Sequence, residues 1–419
     1  TDIQRLLAST GMKRVQQLKH LGLIINTEGE VRHETNIAPI ERNMEAISQS
    51  YNTSQSSPLG RAIYAKYLLA SKYIHRIQNT VISTNQLTQL RSTVLNMTWT
   101  RPRPAENQTS YRVHIAQDRV AQPPRYGGLS VPDPQIQIKS IRFIWIKKFF
   151  FAERTLTWYK ILDNWLMNIG RPTIQEHLQI GSREWKRTSC RLSQYSRYWS
   201  HVFETVSELM ELSNKQYKQW HLIPIIGNEH SPETHLNLGS LRWANTRTRD
   251  MIEAGLVSVG QLFHTNEYGH IDHRRMKSHI QLQNEFNIQI PVMIMNSVTM
   301  LVNSIKTTYR TAILTETAMP ERSTTLQALL RKYKTGCSAA SELLLRQQRE
   351  TWQWGPTPRS HMTYVRDGIT NISPDDMSRA FETVRAKNIT PSIQWTSTQI
   401  LLRTIWTRVK EANTRRRTD

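Results

Sequence analysis

The sequence predicts a mainly α-helical protein with a short β element near its start. Three observations carry this: apolar residues recur at spacings of three and four, helix-opening signals such as Ser57-Pro58 precede those runs, and branched residues bounded by Asn26 and Gly29 form one early strand-like stretch.

Residues 15–26 alternate loosely and end in Leu21-Gly22-Leu23-Ile24-Ile25-Asn26, ahead of the turn-like Thr27-Glu28-Gly29-Glu30. This predicts a strand leading into a turn, and the strand needs a partner to cover it. From Ile37 the pattern becomes helical, with Ile40, Met44 and Ile47 at spacings of four and three, until a polar stretch breaks it. Ser57 then suits an N-cap, with Pro58 at the first helical position, where a missing N–H does no harm. That helix is predicted to run to about Asn79, turning Leu59, Ile63, Leu69 and Ile74 inward and carrying Arg61, Lys66, Lys72 and Arg76. Thr84 can cap the next helix, 86–99, whose Leu87, Leu90, Val94 and Leu95 share a side. Arg101-Pro102-Arg103-Pro104 ends it, because proline lacks the donor and restricts its predecessor. This charged, extended segment reads either as a phosphate contact or as a solvated linker.

Prolines and paired glycines around Arg125 and residues 126–134 predict a rigid loop, with Gly127 and Gly128 free to take positive torsions or to let backbone approach closely. The helix over 135–154 is amphipathic, with Lys139, Arg142, Lys147 and Lys148 on a basic side and Ile141, Ile144 and Trp145 toward the core. Such a side is either a solvated face or a place where single-stranded nucleic acid stacks beside cations. Successive helices follow with tryptophans at their joints: Trp158, Trp165, Trp185, Trp199 and Trp220. Residues 183–197 are dense in positive charge, including Lys186, Arg187 and Arg191 with Trp185, Tyr195 and Tyr198. The Pro, Gly and Asn content of 223–238 predicts a linker and a domain boundary. A further helix is expected over 393–408, and a basic tail at Arg415-Arg416-Arg417.

Lys and Arg number 55 against 33 Asp and Glu, a net charge of +22. An excess of this size attracts polyanions and releases their counterions. Membrane surface is the other large polyanion, but no run approaches the roughly 18 apolar residues of a spanning helix; the longest candidates, 143–151 and 292–302, are interrupted by Lys147-Lys148 and Asn296-Ser297. Cys190 and Cys337 lie far apart with no CxxC, which argues against a disulfide framework or a cysteine zinc module.

The motifs Lys19-His20-Leu21-Gly22-Leu23, Ser57-Pro58-Leu59-Gly60-Arg61, Thr98-Trp99 and Tyr126-Gly127-Gly128-Leu129-Ser130-Val131-Pro132-Asp133 occur in this order with helix-length segments between them. The series resembles the end of the palm and the thumb of a LINE-type non-LTR retrotransposon reverse transcriptase. The resemblance implies a palm-end strand remnant (1–33), a thumb-like helical domain (34–133), a basic, Trp-rich post-thumb region (134–225) and a C-terminal helical domain with a basic tail (239–419). More weakly, it extends through Gly255–Phe263 and Tyr268-Gly269, while the zinc knuckle that ends many relatives has no counterpart here. It also implies that the polymerase's metal-binding aspartates would lie upstream of Thr1.

Catalytic candidates are few. Asp375-Asp376 after Ser373-Pro374 suits a helix N-terminus better than a paired-metal site. His264, His270, His273 and His279 near Asp272 have permissive rather than specific metal spacing, and no GxSxG elbow is present. Cys190 lies between Arg187 and Arg191, where positive charge favours a thiolate, although an inert cysteine is the commoner outcome.

The reading is therefore a non-enzymatic chain without cofactor or metal. It binds structured RNA or an RNA–DNA hybrid through Arg61, Lys66, Arg101, Arg103, Arg125, Lys139, Arg142, Lys147, Lys148, Lys186 and Arg187, as a structural part of a ribonucleoprotein such as an organellar ribosome, beside other proteins and away from membranes. A mitochondrial or nuclear location fits that role. Two alternatives stand beside it: a fragment of an active RNA-directed DNA polymerase whose palm lies elsewhere, and a protein-interaction scaffold without nucleic acid.

Overall fold

The computed structural model describes residues 16–20, 23–26, 33–51, 58–77, 79–99, 120–126, 128–151, 156–231, 241–314, 324–332 and 338–350, with isolated positions at 379 and 383. The protein is mainly α-helical. Arg101, Arg103, the Ser57 cap, Asp375-Asp376, the 393–408 helix and the terminal arginines lie outside the described residues.

The chain divides into two compact units, one formed by Thr1–Ile138 and Leu345–Asp419, the other by Lys139–Leu344. The first opens on a hairpin, β1 (Gln17–His20) paired antiparallel with β2 (Leu23–Asn26). The side chain of Asn36, at the end of α1 (His33–Asn36), acts like one residue of a third strand: its Oδ1 accepts from Ile24 N at 2.7 Å and its Nδ2 donates to Ile24 O at 2.8 Å. One amide thus satisfies backbone groups on the edge of β2.

Helix α2 (Ala38–Tyr51) buries Ile40 and Met44 as their spacing predicts. Helix α3 (Pro58–Tyr64) runs through a π-helical turn, Ala65–Leu69, into α4 (Ala70–Ile77). Its buried stripe is Arg61, Ala62, Ala65, Leu69, Tyr73 and Ile77. Ile63 was expected inside but is 45% exposed, because it stands two residues from Ala65 and so on the far side of a 3.6-residue turn. Helix α5 (Thr84–Trp99) packs Leu90, Val94, Leu95 and Met97 into the same core. Its cap is Ser83 rather than Thr84: Gln86 N donates to Ser83 Oγ at 3.3 Å while Ser83 N donates to Gln86 Oε1 at 2.8 Å, a reciprocal capping box.

The predicted rigid loop is held by Leu129 N and Val131 N, which both donate to Val120 O, at 3.0 and 3.2 Å. Ser130 takes a left-handed torsion there, at φ 53°. Asp133 ends the loop by accepting from Gln135 N at 2.9 Å and meeting Arg91 Nε at 3.3 Å. It opens α6 (Pro134–Phe151), within which the division between the two units falls.

In the second unit α7 (Thr157–Asn168), α8 (Ile174–His177), α9 (Ser182–Leu192) and α10 (Arg197–Tyr217) follow one another. The expected linker and boundary at 223–238 are corrected for their first part. Ile223, Ile225 and Ile226 are buried, and Ile225 N donates to Val257 O, Val259 N to Ile223 O and Gly227 N to Leu241 O, each at 2.9 Å. Proline and glycine here shape a pinned path through a core. After α11 (Thr246–Glu253) the chain forms a second hairpin, β3 (Phe263–Thr265) with β4 (Ile271–Met276), which the sequence reading lacked. Gly269, at φ 76°, makes its turn. Helices α12 (His279–Phe286), α13 (Val292–Thr308), α14 (Arg310–Ile313), α15 (Thr325–Lys332) and α16 (Ser338–Glu350) complete the described part, and none is long and apolar enough to cross a membrane.

Candidate nucleic-acid interface

Helix α9 segregates its residues sharply. Glu184, Trp185, Thr188, Ser189 and Leu192 face inward, whereas Lys186, Cys190 and Arg191 are exposed and Arg187 is half-buried. The inward face is clamped by specific contacts. Trp185 is fully buried against Phe203 of α10, with ring centroids 4.7 Å apart, and its Nε1 donates to His177 O at 3.0 Å. His177 lies 3.0 Å from Thr173 O through Nδ1 and 2.9 Å from Thr188 Oγ1 through Nε2. Burial pushes its pKa down to about 3, so the ring is neutral: Nδ1–H donates to the carbonyl and Nε2 accepts from the Thr188 hydroxyl. Ser189 Oγ donates to Ser200 O at 2.8 Å, tying α9 to α10.

At the start of the helix a buried carboxylate gathers two guanidiniums. Glu184 Oε2 meets Arg171 Nη1 at 2.8 Å and Oε1 meets Arg187 Nη1 at 2.5 Å. The space for Glu184 depends on Gly227, at φ 65°, where an added Cβ would stand 2.3 Å from Glu184 Cγ. Arg191 reaches the end of α7, donating to Ile169 O at 3.3 Å. Burial lowers the pKa of Arg171; Glu184 works against this, and Arg191 and Arg187 add to it. Two guanidiniums thus share one carboxylate, a third, Arg191, is near enough to act on Arg171, and a positive excess remains. Beside them Trp165 and the exposed Tyr195 stack with centroids 6.0 Å apart and 29° between planes. Guanidiniums fork onto phosphate oxygens, and an exposed ring offers a stacking face to a base.

The other residues selected from sequence are placed differently. Arg61 (2% exposed), Arg142 (7%) and Lys147 (7%) are buried, which corrects their reading as surface contacts. Arg61 lies in the apolar stripe of α3, and α6 is covered on most sides, with Phe143 and Ile146 buried next to Arg142 and Lys147. Burial lowers the pKa of Arg142, with Tyr198 and Glu204 acting in the other direction. Lys139 is engaged by Glu208 at 2.7 Å. Lys148 is exposed, but its ammonium sits 4.1 Å from the centroid of Trp145, a ring that also meets Trp158 and Trp199 edge-on. Lys66 is exposed near the Tyr67 ring, at 5.8 Å. Arg125 falls in the turn Pro124–Tyr126, with its side chain outside the described part. Of the sequence-selected residues, Arg187 therefore belongs to the α9 cluster, while Lys186 stands exposed on the same helix, close enough to act on Glu211 of α10. Arg171 was missed, since only its tertiary approach to Glu184 marks it.

Among the described residues one hydroxyl, one carboxylate and one imidazole come close together. Ser182 Oγ donates to Glu229 Oε2 at 2.9 Å, and His230 Nε2 lies 3.8 Å from Glu229 Oε1. The carboxylate stands between hydroxyl and imidazole, which is not the order of a hydrolase triad. His264 is paired in register with Asp272, and His279 Nε2 bonds to Ile290 O. Among the described residues no three His, Cys, Asp or Glu side chains converge as metal ligands. No protein-family model matches the chain, and no curated protein matches it.

Proposed function

We propose that this chain is a non-catalytic RNA-binding protein, derived from a LINE-type reverse transcriptase and acting as a structural component of a ribonucleoprotein. The observation that carries the RNA-binding part is the outward side of α9, where Arg187 and Arg191 lie close to Arg171 beside the stacked Tyr195 and Trp165, with Lys186 exposed further round the same helix. The net charge of +22 supplies the long-range attraction, and the cluster supplies close contacts to phosphate with a ring for an unpaired base. The motif series running from Leu21-Gly22 to Val131-Pro132-Asp133 supports the retroelement origin.

The test is the salt dependence of binding to structured RNA, an RNA–DNA hybrid and duplex DNA, using protein freed of co-purified nucleic acid. A steep fall with salt is expected, with RNA-containing ligands preferred. The double variant Lys186→Ala/Arg191→Ala is expected to flatten the log–log slope by about 1.5 to 2, the change for two lost phosphate contacts. Absence of binding at low salt discards the proposal in favour of a protein scaffold.

A further inference from the structure

A second feature of the Lys139–Leu344 unit has no part in the α9 surface. An open cleft of about 650 Å³ lies where α12 ends and α13 begins, lined among others by Arg247, Gln283, Asn284, Asn287 and Gln289. Its size falls within the roughly 300–1,000 Å³ of small-ligand sites. Four side-chain amides and one guanidinium line it, all exposed except the half-buried Gln283, and no carboxylate belongs to the lining.

Gln283 Nε2 reaches Ile290 O at 3.4 Å, while the side chains of Asn284, Asn287 and Gln289 make no hydrogen bond among the described residues. Each of those three amides can both donate and accept. They stand on a fixed frame: Asn287 caps α12 in the left-handed conformation at φ 52°, and Ile288 N donates to Gln283 O at 3.1 Å. Arg247 touches Asp250 at 3.4 Å, an exposed i,i+3 pair of the kind that exchanges readily for a phosphate.

We propose that this cleft receives one unpaired nucleotide of single-stranded RNA, its phosphate on Arg247 and its base edge on Asn284, Asn287 and Gln289. The proposal rests on the RNA-binding reading above. Amides pair in bidentate fashion with adenine, which presents a donor and an acceptor side by side, so adenine is the preferred base. The α9 surface would then hold backbone, and the cleft would read sequence.

The experiment is fluorescence anisotropy on the full chain at low salt with labelled A10, U10 and a short RNA duplex. Native protein is expected to bind A10 at least about five-fold more tightly than U10, the lower end of what one bidentate base contact contributes. Asn284→Ala/Gln289→Ala should bring the two within two-fold and leave duplex affinity unchanged, which also reports an intact fold. Asn287→Gly, which keeps the left-handed cap, should act in the same direction. Arg247→Ala should weaken A10 and U10 equally. Lys186→Ala/Arg191→Ala should weaken all three ligands and preserve the A10:U10 ratio. Equal binding of A10 and U10 by native protein, or a ratio that survives the amide substitutions, overturns the cleft proposal while leaving α9 intact. A ratio lost only in the cleft variants, with α9 variants binding as native protein does, sustains the cleft and removes α9. Binding of no oligonucleotide overturns both.

Discussion

Helices α6 and α9 carry similar local charge, with Lys139, Arg142, Lys147 and Lys148 on one and Arg183, Lys186, Arg187 and Arg191 on the other, yet they use it in opposite ways. In α6 apolar residues lie on every side, so the helix is covered and its cations are buried, paired with Glu208 or laid over Trp145. In α9 the apolar residues keep to one face, and Lys186 and Arg191 are left to solvent. The difference teaches that the angular distribution of charge around a helix, more than its density, decides whether cations are taken up by the fold or left open to solvent.

The comparison breaks first at Glu184, the buried carboxylate of α9. Glu184→Ala strands two guanidiniums in a partly buried site, and removing one partner of such a pair is expected to cost about 3–5 kcal/mol, read as a lower midpoint in urea unfolding. His177 sets the next scale. Its folded pKa, about 3, lies below the ordinary value of 6.5, so its contribution is complete above pH 6.5 and is lost as pH falls toward 3. Between pH 7.5 and pH 5 the loss should be about 2 kcal/mol, and His177→Gln should flatten that part of the stability profile. If the slope is unchanged in the variant, another group governs acid sensitivity.

A direct contrast of the two helices follows. Arg142→Ala should destabilise by about 1–3 kcal/mol without altering the salt slope of RNA binding. Lys186→Ala/Arg191→Ala should leave stability within about 0.5 kcal/mol and change the slope. A reversal of these two outcomes would mean that the α6 face, not α9, meets the ligand. The smallest effect belongs to Lys148→Ala, which removes one exposed cation–π contact and should cost about 0.5–1 kcal/mol in thermal unfolding.

Much of the helical fold was legible because periodicity and end signals agree. Ile40 and Met44, the Pro58 start, the Leu90–Val94 pair and the helix start near Gln135 all lie as the sequence suggests. The second hairpin was not, since Phe263-His264-Thr265 is too short to show alternation and its partner β4 is mostly polar. The path after Trp220 misled because Pro224 and Gly227 mark turns, and turns can be buried when their backbone groups find partners. For the site, the density of Arg187 and Arg191 was visible. Arg171 and the burial of Arg61 were not, because both depend on which face of a helix meets its neighbours. The cleft amides carry no periodic signal at all.

Glu184 can be buried only when a side-chain-free loop closes over it, and Gly181, whose own Cβ would come within 2.5 Å of Asn228, makes the same demand from the other side. During synthesis, a chain that has just completed Leu192 already contains every arginine of the cluster yet has no lid for the carboxylate that organises them. The basic platform therefore matures late, after Gly227 and Asn228 have emerged and docked.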